Sequence, residues 1–262
     1  MEFDRSRFVD RELLDPSNVM QGMSLGGGPA IPGRTAAAGH DGGCGEHNVG
    51  NLDFLKKGEV NLGTSIMAVC YDGGVVIGAD SRTSTGAYVS NRVSDKVTRI
   101  DECIYVCRSG SAADTQAVSD YVTYFMDSHK MEIGKKPKVE VAANMFRELC
   151  YTNKNALTAG ILVAGWDPIK GGQCYSIPVG GAILQRPYSI GGSGSTYIYG
   201  FCDSYYRDGM TAEQCEEFVR KALSHAMARD GSSGGVIRTV KIDANGAERK
   251  FVAGDKLPFG PL

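Results

Sequence analysis

The chain has 262 residues, 42% of them hydrophobic, and a formal net charge of −2, so it is long enough to bury a sizeable core. Binding to nucleic acid or to an anionic membrane needs an excess of Lys and Arg, and this composition does not supply one. No run of about 18 apolar residues occurs, so no transmembrane helix is predicted.

The first 60 residues or so differ from the rest of the chain. They are rich in Gly and small residues, as in MQGMSLGGGPAIPGRTAAAGHDGGCGEHNVG, and they cannot bury enough apolar surface to offset the entropy of ordering. An apolar core typical of a secretory signal is missing, and acidic residues argue against a mitochondrial one: Glu2, Asp4, Asp10, Glu12 and Asp15. We therefore expect a flexible leader.

From Thr64 onward the pattern is that of a folded domain. The runs TSIMAVCY and GVVIGADS, joined by Asp72-Gly73-Gly74, predict a β-hairpin. A polar stretch follows, with a short strand-like piece, VSDKVTRI, and then the strand-like run CIYVCRSGSA. Apolar residues at helical spacing predict a helix over 112–130, and VEVAANMFRELCYTN predicts a second one.

The second half repeats this alternation. TAGILVAGWD, GGQCYSIPVGG and AILQRPYSIGG predict three strands, and helices are predicted at about 194–206 and 211–229. Thr211 with Gln214 three residues later forms a capping-box signature for the last helix. VIRTVKID and AERKFVA around Ala-Asn-Gly predict a closing hairpin. This order, with nearly continuous apolar strands, indicates an α+β fold in which two mainly antiparallel sheets stack between helical layers.

The eight cysteines are scattered, none in a Cys-x-x-Cys pair, and several lie within apolar runs. This favours buried free thiols in a reducing compartment over a disulfide framework or a zinc site. No metal and no other cofactor is expected.

Motifs for other hydrolases and for nucleotide binding are missing or out of place. The sequence has no P-loop, no His-Glu-x-x-His and no dinucleotide fingerprint. Residues 231–235 match Gly-x-Ser-x-Gly, but a helix precedes them, a strand follows, and all four histidines come earlier in the chain. The nucleophile-elbow interpretation is therefore excluded.

A hydroxyl nucleophile without a histidine can use a free α-amino group as its base, because the pKa of that amine is about 7.7–8.0. Such a residue must become the first of a mature chain, and Gly63-Thr64 follows the leader directly. The alternative is that Thr64 is merely the first residue of a strand. Asp80 ends the second strand of the hairpin and should return close to Thr64. Lys96, paired with a buried Asp80, would stay charged and lower the pKa of the amine and the hydroxyl.

A turn formed by Arg108-Ser109-Gly110-Ser111 lies between a strand and a helix. Backbone N–H groups at such a place can bind an oxyanion.

The segments quoted above, together with GGSGSTYIYG and ARDGSSGG, resemble the catalytic β-type proteasome subunits over essentially all of 64–262. The resemblance implies a four-layer αββα N-terminal-nucleophile hydrolase, with residues 1–63 as a propeptide and 64–262 as the catalytic domain. It implies that Thr64 is the nucleophile, that Asp80 and Lys96 form its charge pair, and that the Gly110 N–H binds the oxyanion. Ser193, Asp230 and Ser233 would order the site, with Ser195 as an alternative to Ser193 because the Gly-Ser run permits a shift in alignment.

The resemblance is greatest to the acid-preferring, caspase-like type 1 branch. Arg108 matches the specificity pocket, where a guanidinium would pair with a substrate Asp or Glu; a structural salt bridge is the alternative. The neighbouring positions of the substrate channel match Thr83, Ser84, Ser94 and Ala112. Two features depart from the family pattern: Ser65 stands where Thr is common, and the leader is long.

The implied function is a threonine endopeptidase made as a precursor that cleaves itself at Gly63-Thr64. The implied partners are other α-type and β-type subunits in a stacked four-ring 20S particle, regulatory caps on the α rings, and unfolded polypeptides. The implied location is the cytoplasm and nucleus, in ubiquitin-dependent degradation. A non-catalytic β subunit and a small-molecule amidase of the same fold are the alternatives.

Overall fold

A computed structural model describes residues 63–85 and 88–258 of the chain. The predicted leader lies outside these residues except for Gly63, and so does Cys44. Within the described part, no helix combines the length and the apolar character needed to cross a membrane.

The described residues form strands and helices in the predicted alternation. The strands are β1 (Ile66–Tyr71), β2 (Gly74–Ala79), β3 (Thr83–Thr85), β4 (Tyr88–Asn91), β5 (Val97–Asp101), β6 (Ile104–Gly110), β7 (Ala159–Asp167), β8 (Gly171–Ile177), β9 (Leu184–Gln185), β10 (Tyr188–Gly191), β11 (Ile237–Asp243) and β12 (Gly246–Val252). The helices are α1 (Ala112–Ile133), α2 (Val139–Thr152), α3 (Tyr199–Tyr205) and α4 (Ala212–Arg229).

The strands pair into two five-stranded antiparallel sheets and one small hairpin. The first sheet has the order β10-β1-β2-β11-β12 and the second has the order β5-β6-β7-β8-β9, while β3 pairs with β4. One apolar cluster, which includes Ile77 and Leu162, fills the space between the sheets. The outer face of the second sheet packs on α1 and α2, and that of the first on α4.

These packings give the order helices, sheet, sheet, helices, which confirms the predicted αββα sandwich. The strands at its centre are covered on both sides; every residue of β2 is buried. This explains why their sequences lack an apolar–polar alternation.

The first hairpin brings the start of the domain beside the end of β2. Ile66 pairs with Ala79 and Tyr71 with Gly74, as predicted. The backbone N–H of Asp80 then donates to the carbonyl of Ser65 at 3.0 Å. Asp80 is thereby fixed beside Ser65, the residue that follows Thr64.

Helix α4 begins as predicted. Its N-cap Thr211 and Gln214 form both hydrogen bonds of the capping box.

Two predicted elements differ from those observed. The single strand predicted over 182–192 is two strands, β9 and β10, which belong to different sheets; Pro187 lies between them and has no N–H to donate to a ladder. The helix predicted at 194–206 is a 3₁₀ helix, Ser193–Tyr197, followed by α3. Gly and Ser are poor helix formers, so the Gly-Ser run does not sustain an α-helix.

The described cysteines are free thiols, and all but the half-buried Cys70 are buried, as predicted. Burial raises the pKa of Cys70 to about 12 and that of Cys150 to about 11. Thiols with such pKa values are poor nucleophiles at neutral pH.

Candidate active site

Thr64 lies just before β1 and is 4% exposed. Its hydroxyl Oγ1 donates a hydrogen bond to the carbonyl oxygen of Gly63, at 2.7 Å. Its backbone N–H donates to the hydroxyl of Ser193, at 3.1 Å. The Thr64 side chain is therefore held against the peptide bond that precedes it.

Lys96 reaches the same carbonyl from the second sheet. Its Nζ donates to the Gly63 oxygen at 3.1 Å and forms an ion pair with Asp80 Oδ1 at 2.7 Å. Two donors, the Thr64 hydroxyl and the Lys96 ammonium, thus converge on one carbonyl oxygen. A carbonyl polarised in this way is more open to nucleophilic attack.

Asp80 is fully buried and is held by backbone donors on three sides. Its Oδ1 accepts from the N–H of Ser65 at 2.9 Å, and its Oδ2 accepts from those of Gly234 at 3.0 Å and Arg82 at 3.2 Å. The carboxylate therefore joins the start of β1 to the segment after β2 and the segment before β11.

Burial acts on both members of the ion pair. It raises the pKa of the Asp80 carboxyl, which the charge and hydrogen bond of Lys96 oppose. It lowers the pKa of the Lys96 ammonium, which the charge of Asp80 opposes. Burial thus disfavours the charged form of each group, and the charge of its partner opposes that effect.

A chain of serine hydroxyls connects Thr64 to a second carboxylate. Ser193 Oγ accepts from the Thr64 N–H and donates to Asp230 Oδ2 at 2.7 Å. Ser233 Oγ donates to the same oxygen at 2.6 Å and accepts from Ser65 Oγ at 2.8 Å. The predicted set of Ser193, Asp230 and Ser233 is thus brought together around Thr64.

Ser195, the alternative to Ser193, is oriented differently. Its hydroxyl donates to the carbonyl of Gly192 at 2.7 Å. Of the two serines, Ser193 is the one in contact with the Thr64 nitrogen.

Gly63 is packed tightly against the loop that follows α4. A Cβ atom added to Gly63 would lie 1.8 Å from the Cβ of Ser232. No side chain fits at this position without a shift of the loop.

A cleft of about 100 Å³ opens beside Thr64. Its lining includes the predicted residues Thr83, Ser94, Lys96, Arg108, Gly110 and Ala112. Gly110 has a φ of +98°, and a Cβ there would lie 2.3 Å from the carbonyl oxygen of Thr158. Glycine is therefore required where the strand β6 turns into helix α1.

Arg108, which lines this cleft, has few hydrogen-bond partners among the described residues. Its buried Nε has no partner within the described residues, and its Nη1 makes only a long contact, 3.5 Å, with the Thr115 hydroxyl. Burial lowers the pKa of the guanidinium. A buried donor without a partner carries a desolvation cost that an incoming acceptor would relieve.

Some side chains lie differently from what the sequence suggests. Ser84 is buried, and its hydroxyl faces the carbonyl of Ser232 at 3.5 Å; it does not line the cleft. Asp95 and Thr115 line the cleft but were not among the predicted residues. Thr115 could have been found, because it lies three residues after Ala112 on the same face of α1.

Comparison with known proteins gives a consistent result. Residues 60–242 match the model of the family described as "Proteasome subunit". The chain is 61% identical over 199 residues to proteasome subunit beta type-6 of Dictyostelium discoideum, and the matched region covers 76% of this chain and 93% of that protein. It is 55% identical over 199 residues to proteasome subunit beta type-1 of Saccharomyces cerevisiae, covering 76% and 92%. Against the human proteasome subunit beta type-9 the identity is 48% over 206 residues, covering 79% and 94%.

Proposed function

The chain belongs to the proteasome subunit family, as a β subunit, and from this premise we propose that it is a threonine-type endopeptidase that cleaves polypeptides after acidic residues. Residues 1–63 are its propeptide and residues 64–262 its catalytic domain. The chain is made as an inactive precursor that cleaves its own Gly63-Thr64 bond.

One observation carries this proposal: the Thr64 hydroxyl and the Lys96 ammonium both donate to the Gly63 carbonyl oxygen, at 2.7 and 3.1 Å, while Asp80 holds Lys96. A β subunit kept only for assembly has no need of this arrangement. The contacts favour attack of the hydroxyl on the carbonyl carbon that precedes it.

Maturation proceeds by an acyl shift from nitrogen to oxygen. Thr64 Oγ1 bonds to the Gly63 carbonyl carbon, the carbon–nitrogen bond breaks, and the nitrogen takes up the proton that the hydroxyl loses. Water then hydrolyses the ester, so that the leader leaves with a new carboxylate. Until the carbon–nitrogen bond breaks, the Thr64 nitrogen is an amide and cannot act as a base.

The mature site repeats the same attack on a substrate peptide. The free amine of Thr64 accepts the proton of Oγ1, and the positive charge of Lys96 favours the deprotonated forms of both groups. The backbone N–H of Gly110 stabilises the oxyanion. Ser193, Asp230 and Ser233 hold the amine in place through the hydrogen bonds described above.

The preference for acidic residues rests on Arg108. Arg108 lines the cleft beside Thr64 and forms no ion pair among the described residues, so its guanidinium can pair there with a substrate Asp or Glu just before the cleaved bond. Thr83, Ser94 and Ala112 form the walls, and the backbone of Thr83–Ser84 and Ala112 holds the extended substrate.

As a subunit of the 20S particle, the chain works in a stack of four rings with other α-type and β-type subunits. Unfolded polypeptides reach it inside the particle, and regulatory caps act through the α rings. This assembly acts in ubiquitin-dependent degradation in the cytoplasm and nucleus.

The test is the identity of the first residue of the chain in assembled particles. Mass spectrometry should find Thr64 at the N-terminus of the wild-type chain. The Thr64→Ala chain should keep residues upstream of position 64, and its rate of hydrolysis of acidic peptides should be at least about 10³-fold lower. Thr152→Ala, an exposed threonine at the end of α2, is the matched control and should process and cleave normally.

A chain that remains intact from Met1 and still hydrolyses acidic peptides would overturn the proposal. A mature chain that works alone on a small amide would point to the amidase alternative.

A further inference from the structure

Asp95 places a negative charge on the rim of the cleft that contains Arg108. Its Oδ1 accepts from the N–H of Val97 at 3.0 Å, which fixes the carboxylate beside the start of β5. Asp95 lines the cleft with Lys96 and Arg108, and its charge acts on the Arg108 guanidinium.

This position matters because of the charges that an acidic substrate meets. Lys96 is engaged by Asp80 at 2.7 Å, so Arg108 is the cation left to attract a substrate carboxylate. The Arg108 N–H donates to the Lys96 carbonyl at 3.2 Å, so β6 holds Arg108 beside the segment that carries Asp95. An uncompensated Asp95 would therefore repel the group that Arg108 attracts.

Arg249 supplies the compensating charge from β12, in the other sheet. Its Nη2 lies 2.7 Å from Asp95 Oδ2 and 3.4 Å from the carbonyl oxygen of Val97. The two side chains are 45% and 44% exposed, so the effect of this pair on stability is small. The positive charge of Arg249 still offsets the negative charge of Asp95 at the rim, even though the pair adds little to the stability of the fold.

We propose that Arg249 is a positioning residue for substrate specificity: it neutralises Asp95, so that the Arg108 cleft accepts acidic side chains. The inference rests on the proposed function, since it requires that Arg108 receive the substrate carboxylate. Arg249 does not touch the substrate; it acts through Asp95.

The test measures kcat/KM for two peptides that differ only in Glu or Gln before the cleaved bond, with assembled particles and with Thr64→Ala particles as the background. Arg249→Ala should lower the Glu-to-Gln ratio about threefold, through a higher KM for the Glu peptide, since exposed charge pairs contribute roughly 0.2–1 kcal/mol. Asp95→Asn should raise the ratio by a similar factor. Arg249→Ala added to Asp95→Asn should then have no further effect.

Two controls separate charge from structure. Arg249→Lys should keep most of the ratio. Lys250→Ala removes the neighbouring cation of β12, which is equally exposed but pairs with Glu216, and it should leave the ratio unchanged. The effect of Arg249→Ala should shrink in about 0.5 M salt, because salt screens charges near the surface.

An equal loss for both peptides, or a loss that persists in the Asp95→Asn background, would overturn the inference while the acidic preference of the wild type stands. A wild type that cleaves the Glu peptide no faster than Thr64→Ala does would overturn the proposed function and the inference with it.

Discussion

Asp80 and Asp167 are two buried carboxylates, and the chain uses them in different ways. Asp80 lies at the end of β2 and accepts three backbone hydrogen bonds and the ammonium of Lys96. Asp167 lies at the end of β7 and accepts from three backbone N–H groups and from the amide of Gln173. Their hydrogen-bond donors differ: among the described residues a cation donates to Asp80, whereas the donors to Asp167 are neutral.

Their pKa values move in opposite directions. Burial raises the pKa of Asp80 despite Lys96. Burial also acts to raise that of Asp167, but its hydrogen bonds, led by the Lys170 N–H and the Gln173 side chain, leave the pKa lowered. Burial and hydrogen bonding alone therefore do not mark a carboxylate as functional. Asp80 differs in that it holds a buried cation which also contacts the Gly63 carbonyl, and the proposed function rests on this difference.

Replacing each Asp by Asn tests this difference most directly. Asp80→Asn leaves Lys96 without its counter-charge, so kcat/KM per assembled particle should fall about 10²- to 10³-fold. Asp167→Asn should stay within about twofold in the same assay, because Asp167 does not line the cleft and the hydrogen bonds described for it go to residues outside the cleft. Equal losses in the two variants would show that both act through folding alone.

The contribution of Asp167 should be measurable in the local stability of the segments that donate to it. A group whose folded pKa is lowered stabilises the fold above its unfolded pKa, about 3.9, and loses that effect as the pH falls through the folded pKa. At pH 7, Asp167→Asn should lower the free energy of local opening by about 2 kcal/mol. Hydrogen exchange of the Val139, Ile169 and Lys170 amides should then be about thirtyfold faster.

The ratio of mutant to wild-type exchange should fall towards one as the pH drops below about 3.9. A ratio that does not change with pH would mean that the charge of Asp167 contributes nothing.

Asp230 is the intermediate case, a carboxylate of the site whose hydrogen-bond donors among the described residues are hydroxyls and a backbone N–H. Ser193→Ala removes both a donor to Asp230 and the acceptor of the Thr64 N–H, and we expect kcat to fall about tenfold. Ser195→Ala is the matched control, since its hydroxyl bonds only Gly192, and it should change kcat less than twofold. A tenfold loss of kcat in Ser195→Ala with little change in Ser193→Ala would show that Ser195, and not Ser193, supports the site.

The parts of the fold that were predictable from the sequence are those encoded locally. The hairpin turn at Asp72-Gly73 fixes the register that brings Asp80 beside Ser65, and the spacing of apolar residues predicts α1, α2 and α4. The predicted nearness of Asp80 to Thr64 depends on this register alone.

Features that depend on the stacking of the two sheets were not predictable. Asp95 and Arg249 are separated by 154 residues in the sequence. They meet because Asp95 lies just before β5 and Arg249 lies in β12, and these strands belong to the two sheets that stack on each other. Asp167 looks like any Asp that ends a strand, since its role appears only when the start of α2 donates to it. Local patterns contain no information on such contacts.

In the proposed function two reactions share one nucleophile, and the close packing of Gly63 on Ser232 distinguishes them. A substrate bound by Arg108 carries a side chain before the cleaved bond, whereas a side chain at position 63 would meet Ser232. Under that proposal the bond before Thr64 is held in place by covalent attachment and is cut once per molecule. We therefore expect substitutions in the cleft to change which peptides are cleaved without preventing removal of the leader.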